Sequence, residues 1–360
     1  MNRRDLLRAS GVAAAGALSG CLVGGSSGDS DADSDSQFDS PSPPWSRSNA
    51  VYHQAHRKGM AMIGTAQKGD RTIGLSYTYA KRFWTVTGNQ TKRVAVEDSY
   101  NSIHLMASVW DTETGTVLPV DSGLQVTVKR DDEKLTQRAM WPMLSQQMGI
   151  HFGDNFLLPS QEEYSFVIDS GKPTVQRLGA LEDRSKDPIT AQFSLDFTRS
   201  TRNEIPIEPR GAQPLESRGE PDALPPMEMS MQPVAVAPPK DELPGQLLGT
   251  GTNADAVVVF TASENADGTY LTVSPRTPYN QYFLPLMSLS ATIERDGTTV
   301  FDGPLSTAVG PDRGYHYGAT VDSIMSGDDL TIVVDSPPQV ARHSGYETAF
   351  LDMSDVSLTV

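Results

Sequence analysis

Two stretches of the chain carry the same motifs in the same order. Residues 118–132 (LPVDSGLQVTVKRDD) precede an Ile-His-Phe-Gly motif at 150–153, and residues 284–297 (LPLMSLSATIERDG) precede Tyr-His-Tyr-Gly at 315–318. The first leucine and the histidine lie 33 residues apart in one copy and 32 in the other. Each motif is followed by an apolar run that ends in Asp-Ser. Self-similarity over this length predicts two copies of one domain within the 360 residues.

The copies consist of short runs in which apolar residues recur at every second position. In residues 102–110 (SIHLMASVW) this alternation places His104 and Met106 together on one strand face. Similar runs occur at 124–128, 164–168, 256–261, 270–273, 286–294, 330–335 and 356–360. Turn-forming Gly, Asp and Asn residues separate them, which favours an all-β fold of two Ig-like antiparallel β-sandwich domains.

Composition divides the chain into five segments. We predict a twin-arginine lipoprotein signal at 1–20, a disordered Ser/Asp-rich tether at 21–47, a first Ig-like domain at 48–202, a proline-rich linker at 203–248 and a second Ig-like domain at 249–360. The tether is too polar to bury a core. The density of proline in the linker favours an extended, semi-stiff spacer.

The N-terminus has the features of an export signal. Arg3 and Arg4 precede an apolar run at 11–18, which is shorter than the roughly 20 residues that span a bilayer. Leu-Ser-Gly then precedes Cys21, the only cysteine, and this step is typical of a lipobox. We expect an extracytoplasmic protein whose lipidated Cys21 is its only anchor to the outer face of the cell membrane. The alternative is a chance cysteine within a signal peptide.

The charge balance excludes one class of partner. The formal net charge is −16, and the calculated pI is about 4.7. Nucleic acid is therefore not an expected partner, since binding of phosphates requires clustered Lys and Arg. Acid excess together with twin-arginine export is typical of a haloarchaeal, salt-adapted protein.

Histidine and methionine residues form the candidate metal ligands. The chain has 6 histidines and 13 methionines, and Met140, Met143, Met148 and His151 lie in one loop-like stretch. Thioether and imidazole groups suit copper(I), and imidazole also suits iron(II) and zinc. Taken singly, a methionine is more often core filler than a ligand, and a strand histidine is more often structural.

These residues also carry a family resemblance. The resemblance rests on three short segments: Ile103-His104-Leu105, Trp141-Pro142-Met143 and the motif Gly-Ile-His-Phe-Gly-Asp-Asn at 149–155. Through these segments, residues 102–169 resemble the periplasmic iron-transport protein family, and the second copy resembles it more faintly. The family consists of Ig-like dimers that bind copper or iron and work beside a membrane iron permease.

The resemblance implies a set of metal ligands. Carried over by position, it assigns His104, Met143 and His151, with Met106 where the family has an acidic residue. In the family a histidine of the partner subunit completes each site, in an Arg-His step that falls on His343. Loss of the acidic ligand shifts the set toward soft donors and toward copper(I), whereas the resemblance implies iron transport. Met140 and Met148 are alternatives to Met143.

Neither copy contains a full ligand set. The first reads Leu178 where the Arg-His step would place a histidine, and the second reads Tyr270 in place of His104. We therefore predict that the two domains form an intramolecular pseudo-dimer with one working site, and that the second domain is degenerate. His316 is expected to pack in a turn against its neighbouring tyrosines. His53 and His56 are expected at the surface.

The predicted function is that of an extracytoplasmic lipoprotein, not an enzyme, that binds an iron or copper ion and delivers it to a membrane iron permease or similar transporter. No nucleophile elbow, phosphate-binding glycine loop or His-Glu-x-x-His motif is present in the sequence. The alternative is a structural or protein-binding Ig-like cell-surface lipoprotein with a degenerate metal site.

Overall fold

The computed structural model describes residues 49–360 except 97, 120–122, 212 and 230. The predicted signal, the tether and the lipidated Cys21 lie outside the described residues. Within the described part, the chain is composed almost entirely of β-strands. None of the described helices is long and apolar enough to cross a membrane.

The described part of the first half contains thirteen strands and two short helical segments. The strands are β1 (Arg57–Lys58), β2 (Ala61–Lys68), β3 (Arg71–Tyr79), β4 (Phe83–Thr87), β5 (Gln90–Val94), β6 (Ser102–Asp111), β7 (Leu124–Arg130), β8 (Glu133–Ser145), β9 (Gly149–Leu157), β10 (Glu163–Ser170), β11 (Gln176–Arg177), β12 (Ile189–Asp196) and β13 (Ile207–Glu208). A 3₁₀ turn covers Gly179–Leu181, and helix α1 covers Arg199–Asn203.

The second half contains ten strands. They are β14 (Gln246–Asn253), β15 (Ala256–Asn265), β16 (Gly268–Arg276), β17 (Ser288–Arg295), β18 (Thr298–Pro304), β19 (Ser306–Gly310), β20 (Gly314–Val321), β21 (Asp329–Ser336), β22 (Ala341–Arg342) and β23 (Val356–Thr359).

Strand β8 links the two layers of the first half. Its first part pairs with β7, which continues through β10 to β12, and its last part pairs with β9, which continues through β6 and β3 to β2. The apolar face of β6, which includes Leu105 and Val109, lies in the hydrophobic core between these layers. Each large apolar side chain buried in this way contributes about 1.5–3 kcal/mol to folding. The opposite face of β6 carries His104 and Met106, which are also buried.

The second half repeats this strand order. Strands β19, β20, β16, β15 and β14 follow one another in one sheet, and β18, β17, β21 and β23 form the other. Strands β18 and β19 are separated only by Leu305 and together take the place of β8. The prediction of an all-β fold of antiparallel sandwiches is confirmed.

The stretch predicted as a loop around the methionines is instead a β-hairpin. Strands β8 and β9 pair from Trp141 to Ser145, and only residues 146–148 form the turn. Gly149 has a φ of 65°, which lets the chain leave the turn and start β9. The spacing of methionine and histidine in this stretch therefore reflects strand alternation, since alternate residues face the same side.

The proline-rich segment 203–248 is packed against both halves and is not an extended spacer. Its strand β13 pairs with β1, and the N–H groups of Met227 and Ala237 donate to the carbonyls of Gln147 and Gln281. Leu224 within it is fully buried. Proline limits its regular structure, but isolated apolar residues and free backbone N–H groups still bind it to the fold.

Candidate metal centre

Three strands of the first half place the predicted ligands on one face. Strand β6 carries His104, β8 carries Met143 and β9 carries His151. Met143 lies directly opposite His151 in the β8–β9 register, and Met106 lies opposite Gly153 in the β6–β9 register. These side chains project away from the main hydrophobic core. Met143 packs in a small separate cluster with Phe83 and Ala341.

A segment of the second half supplies the third histidine. Strand β22 joins the edge of the first half, where Ala341 and Arg342 pair in parallel with Met143 and Leu144 of β8. The N–H of His343 then donates to the carbonyl of Leu144 at 3.1 Å. This backbone pairing fixes where the His343 side chain enters the first half.

The three histidines converge. One ring nitrogen each from His104, His151 and His343 lies within 4.8 Å of the others. The ring centroids of His104 and His151 lie 5.1 and 5.4 Å from that of His343. The Met143 Sδ lies 3.2 Å from the His343 Nε2. Nitrogen ligands bind copper or zinc at about 2.0–2.1 Å, so two ligands of one ion lie at most about 4 Å apart. The site therefore needs to contract by less than about 1 Å to hold an ion.

Gly153 leaves space at the point where two of these ligands meet. A Cβ at this position would lie 3.0 Å from both the His104 Nε2 and the Met143 Sδ. The backbone of Gly153 is extended, without a positive φ, so the conformation itself does not require glycine. Glycine here preserves space beside the donor atoms.

Hydrogen bonds fix which nitrogen of two rings carries the proton. The Nδ1 of His151 lies 3.1 Å from the Gly149 carbonyl oxygen, which can only accept, so Nδ1 is the donor. The Nδ1 of His104 lies 3.0 Å from the Oδ1 of Asn155. The backbone of Lys81 orients this amide, because its N–H donates to Oδ1 at 3.1 Å and its carbonyl accepts from Nδ2 at 2.8 Å. In both rings Nε2 is left with its lone pair, the tautomer that binds a metal.

These lone pairs have no hydrogen-bond partner. The Nε2 atoms of His104 and His151 are buried, and neither is bonded to any residue that the structure describes. A buried polar atom without a partner costs about 1–3 kcal/mol. Two such atoms on rings that converge are typical of a site that binds a ligand.

The three imidazoles are held neutral. Burial lowers the pKa of His151 to about 4, and lowers the pKa of His104 and His343 well below the ordinary value. The positive charge of Lys81 lowers all three further. Burial and repulsion by Lys58 lower the pKa of Lys81 itself to about 7. Neutral imidazole is the form that binds metal ions, so the centre is ready to bind at neutral pH.

The other methionines have separate positions. Met106 and Met148 line a cavity together with His343. Met140 belongs to the main hydrophobic core and is not an alternative to Met143. The pairing of β8 explains this, since Met143 lies an odd number of residues from Met140 and faces the other side.

The second half contains the counterpart of this centre in altered form. Strand β11 pairs in parallel with β19 as β22 pairs with β8, and Leu178 follows it in the position of His343. Ala308 lies opposite His316 where Met143 lies opposite His151. The Tyr270 hydroxyl lies 3.1 Å from the His316 Nε2 and hydrogen-bonds it. The His316 Nδ1 donates to the Gly314 carbonyl oxygen at 3.1 Å, so both nitrogens of this ring have partners within the protein.

Two expectations for single histidines were wrong. His316 lies in strand β20 and contacts Tyr270, because its neighbouring tyrosines project to the opposite face. His53 and His56 are buried, since the proline-rich segment covers them. The hydroxyl of Ser217 lies 3.0 Å from the His53 Nδ1, and His56 lines the cavity that contains Met106.

Sequence reasoning missed Asn155 and Gly153. Both belong to the Gly-Asp-Asn step, which reads as a turn signal but lies within β9. The spacing of these two residues from His151 could have revealed their role, since residues 151, 153 and 155 share one face of a strand.

Comparisons with known proteins match parts of the chain. Residues 241–359 match a family described as a domain of unknown function, DUF7350. Two solved structures of FetP from uropathogenic Escherichia coli are similar at low TM-score. A copper-bound variant has 14% identity and a TM-score of 0.30, covering 39% of this chain and 97% of its own. FetP as isolated has 13% identity and a TM-score of 0.28, covering 40% and 96%. No curated protein matches the chain.

Proposed function

We propose that this protein binds a single transition-metal ion as cargo, copper(I) in first place and iron(II) in second, outside the cytoplasm and passes it to a membrane transporter. The observation that carries the proposal is the convergence of three buried imidazoles, two of which have partnerless Nε2 lone pairs. His104, His151 and His343 would hold the ion together with the thioether of Met143.

The donor set supports copper(I) over harder ions. Imidazole nitrogens and a thioether sulfur are neutral and soft or borderline, and among the residues that the structure describes no carboxylate belongs to the cluster of converging ligands. Iron(II) and other hard divalent ions are bound more tightly where carboxylate oxygens take part. Met106 occupies the position at which the family that residues 102–169 resemble has an acidic residue. The charged ligand is therefore absent at this position.

Burial supports binding over catalysis. All three histidines are at most 4% exposed, so the cluster of donors is shielded from substrates larger than an ion. We propose that the protein is not an enzyme. Release would require His343 to withdraw, because it is the ligand that belongs to the second half of the chain.

The test compares two histidines in repeated positions. Cys21→Ser is introduced throughout so that the thiol does not bind copper. In that background we expect one copper(I) ion per chain, and we expect His343→Ala to weaken binding at least tenfold, measured by competition with a chromophoric chelator. His316→Ala is the matched control and should leave affinity and stoichiometry unchanged.

If neither metal binds at micromolar concentration, a structural or protein-binding role of the sandwich domains replaces this proposal. Equal loss in the His343 and His316 variants would place the ion elsewhere.

A further inference from the structure

A cavity lies beside the metal centre and has a cationic wall. Its volume is about 30 Å³, enough for about two water molecules, and His343 and Met106 are among its lining residues. Lys58, Lys81 and Arg82 also line it, and none of its described lining residues is Asp or Glu.

The ammonium group of Lys81 is the cation that lacks a partner. Its backbone binds Asn155, but its side chain makes no hydrogen bond or ion pair with the residues that the structure describes. Lys58 and Arg82 have partners of their own in the fold. The carboxylate of Glu347 interacts electrostatically with Arg82, and it accepts hydrogen bonds from the Tyr52 hydroxyl and the Gly345 N–H. Glu347 is not among the residues that line the cavity.

Neutral donors accompany this charge. Ser145 and Gln147, whose side chains carry a hydroxyl and an amide, line the same cavity as Lys81. The Ser145 oxygen accepts from the Met148 N–H at 3.2 Å, which leaves its own O–H free to donate. Hydrogen-bond donors around a small space with excess positive charge are what an anion requires.

A larger cleft borders the cavity. A cleft of about 500 Å³ shares Gly59, Met60, Gln147 and Met227 with it. Arg57, Glu208 and Glu228 line the cleft but not the cavity. Carboxylates therefore accompany the positive charge of the cleft, whereas none accompanies that of the cavity among its described lining residues.

We propose that this cavity binds one halide-sized inorganic anion, chloride under physiological conditions, through the Lys81 ammonium group with donors from Ser145 and Gln147. The anion offsets positive charge that the fold leaves uncompensated. It would also offset the charge of a metal ion held by neutral ligands nearby, and only this second role rests on the proposed function.

The test uses metal-free protein and is therefore independent of metal binding. Crystals grown without halide are soaked in sodium bromide, and anomalous scattering is measured at the bromine edge. We expect a bromide peak in the cavity within about 3.5 Å of the Lys81 Nζ, the range of a charge-assisted contact. Absence of a peak in the cavity would overturn the proposal.

Solution measurements distinguish this site from surface binding. At constant ionic strength, replacing gluconate with bromide should raise the melting temperature of the wild-type protein. Lys81→Met should raise the Kd for bromide at least tenfold, whereas Lys81→Arg should keep binding and Lys68→Met, at an exposed position of β2, should change nothing. The same bromide dependence in the Lys81→Met and Lys68→Met variants would also overturn it.

Discussion

Gly153→Ala is the substitution that tests the shape of the metal centre most sharply. The added methyl carbon would lie 3.0 Å from both the His104 Nε2 and the Met143 Sδ, whereas ordinary contact begins at 3.4 Å. Each donor would have to withdraw by about 0.4 Å. Binding one ion requires the opposite movement, because nitrogen and sulfur ligands lie only about 2.0–2.3 Å from the metal.

We expect this conflict to weaken copper(I) binding by about 10–100-fold, which is the effect of other substitutions that disturb the orientation of metal ligands. That range corresponds to about 1.4–2.7 kcal/mol of binding free energy. The backbone of Gly153 has no positive φ, so its conformation suits alanine, although the methyl would also lie 3.2 Å from the Leu105 carbonyl oxygen. Overpacking should lower the free energy of unfolding of the metal-free protein by only about 1–3 kcal/mol, and the fold is retained.

The assay is competition with a chromophoric copper(I) chelator, with urea denaturation of the same samples. Gly64→Ala is the matched control, since its methyl would meet only a Phe193 ring carbon at the ordinary distance of 3.7 Å. Wild-type affinity in a folded Gly153→Ala protein would refute the placement of an ion between His104 and Met143.

Three further predictions concern the ligands and the second half. Met143→Leu should weaken copper(I) binding about tenfold but zinc binding less, because zinc prefers imidazole to thioether, and equal losses in competition assays would exclude the thioether as a ligand. In the folded state the pKa of His151 is about 4, below its ordinary 6.5, so the unfolded chain binds more protons between these values and stability falls as pH falls from 6.5 to 4. This histidine should contribute about 3 kcal/mol to that loss. The free energy of unfolding of His151→Gln, measured in urea, should therefore depend less steeply on pH than that of the wild-type protein. The same pH dependence in both proteins would contradict this prediction. Tyr270→Phe should lower the free energy of unfolding by about 1–3 kcal/mol, because the His316 Nε2 loses its partner, and undiminished stability in urea would show that this hydrogen bond contributes nothing.

Much of the fold could be predicted from alternation alone. The apolar period of two in residues 102–110 and 164–168 corresponds to β6 and β10, because one face of each strand packs into the core. The hairpin of β8 and β9 was harder to predict. Pro142 and a glycine-rich step interrupt its pattern, and both faces of β9 are buried, one by the core and one by the metal centre.

The ligand residues were accessible to sequence comparison of the two repeats, but their geometry was not. Leu178 and Tyr270 mark the positions that differ between copies, and the structure places both in the altered counterpart centre. The burial of the proline-rich segment could not be predicted, since proline density carries no information on tertiary contacts. Lys81 was also missed, because only the packing of separate strands brings it beside His343.

The central claim is that one ion is held jointly by ligands from both halves of the chain. The most direct measurement is anomalous diffraction at the copper edge from crystals loaded with copper(I) under reducing conditions. We predict one strong peak per chain, about 2.0–2.1 Å from a ring nitrogen of each of His104, His151 and His343. A peak that lies away from His343, or no peak among the three histidines, would contradict the claim.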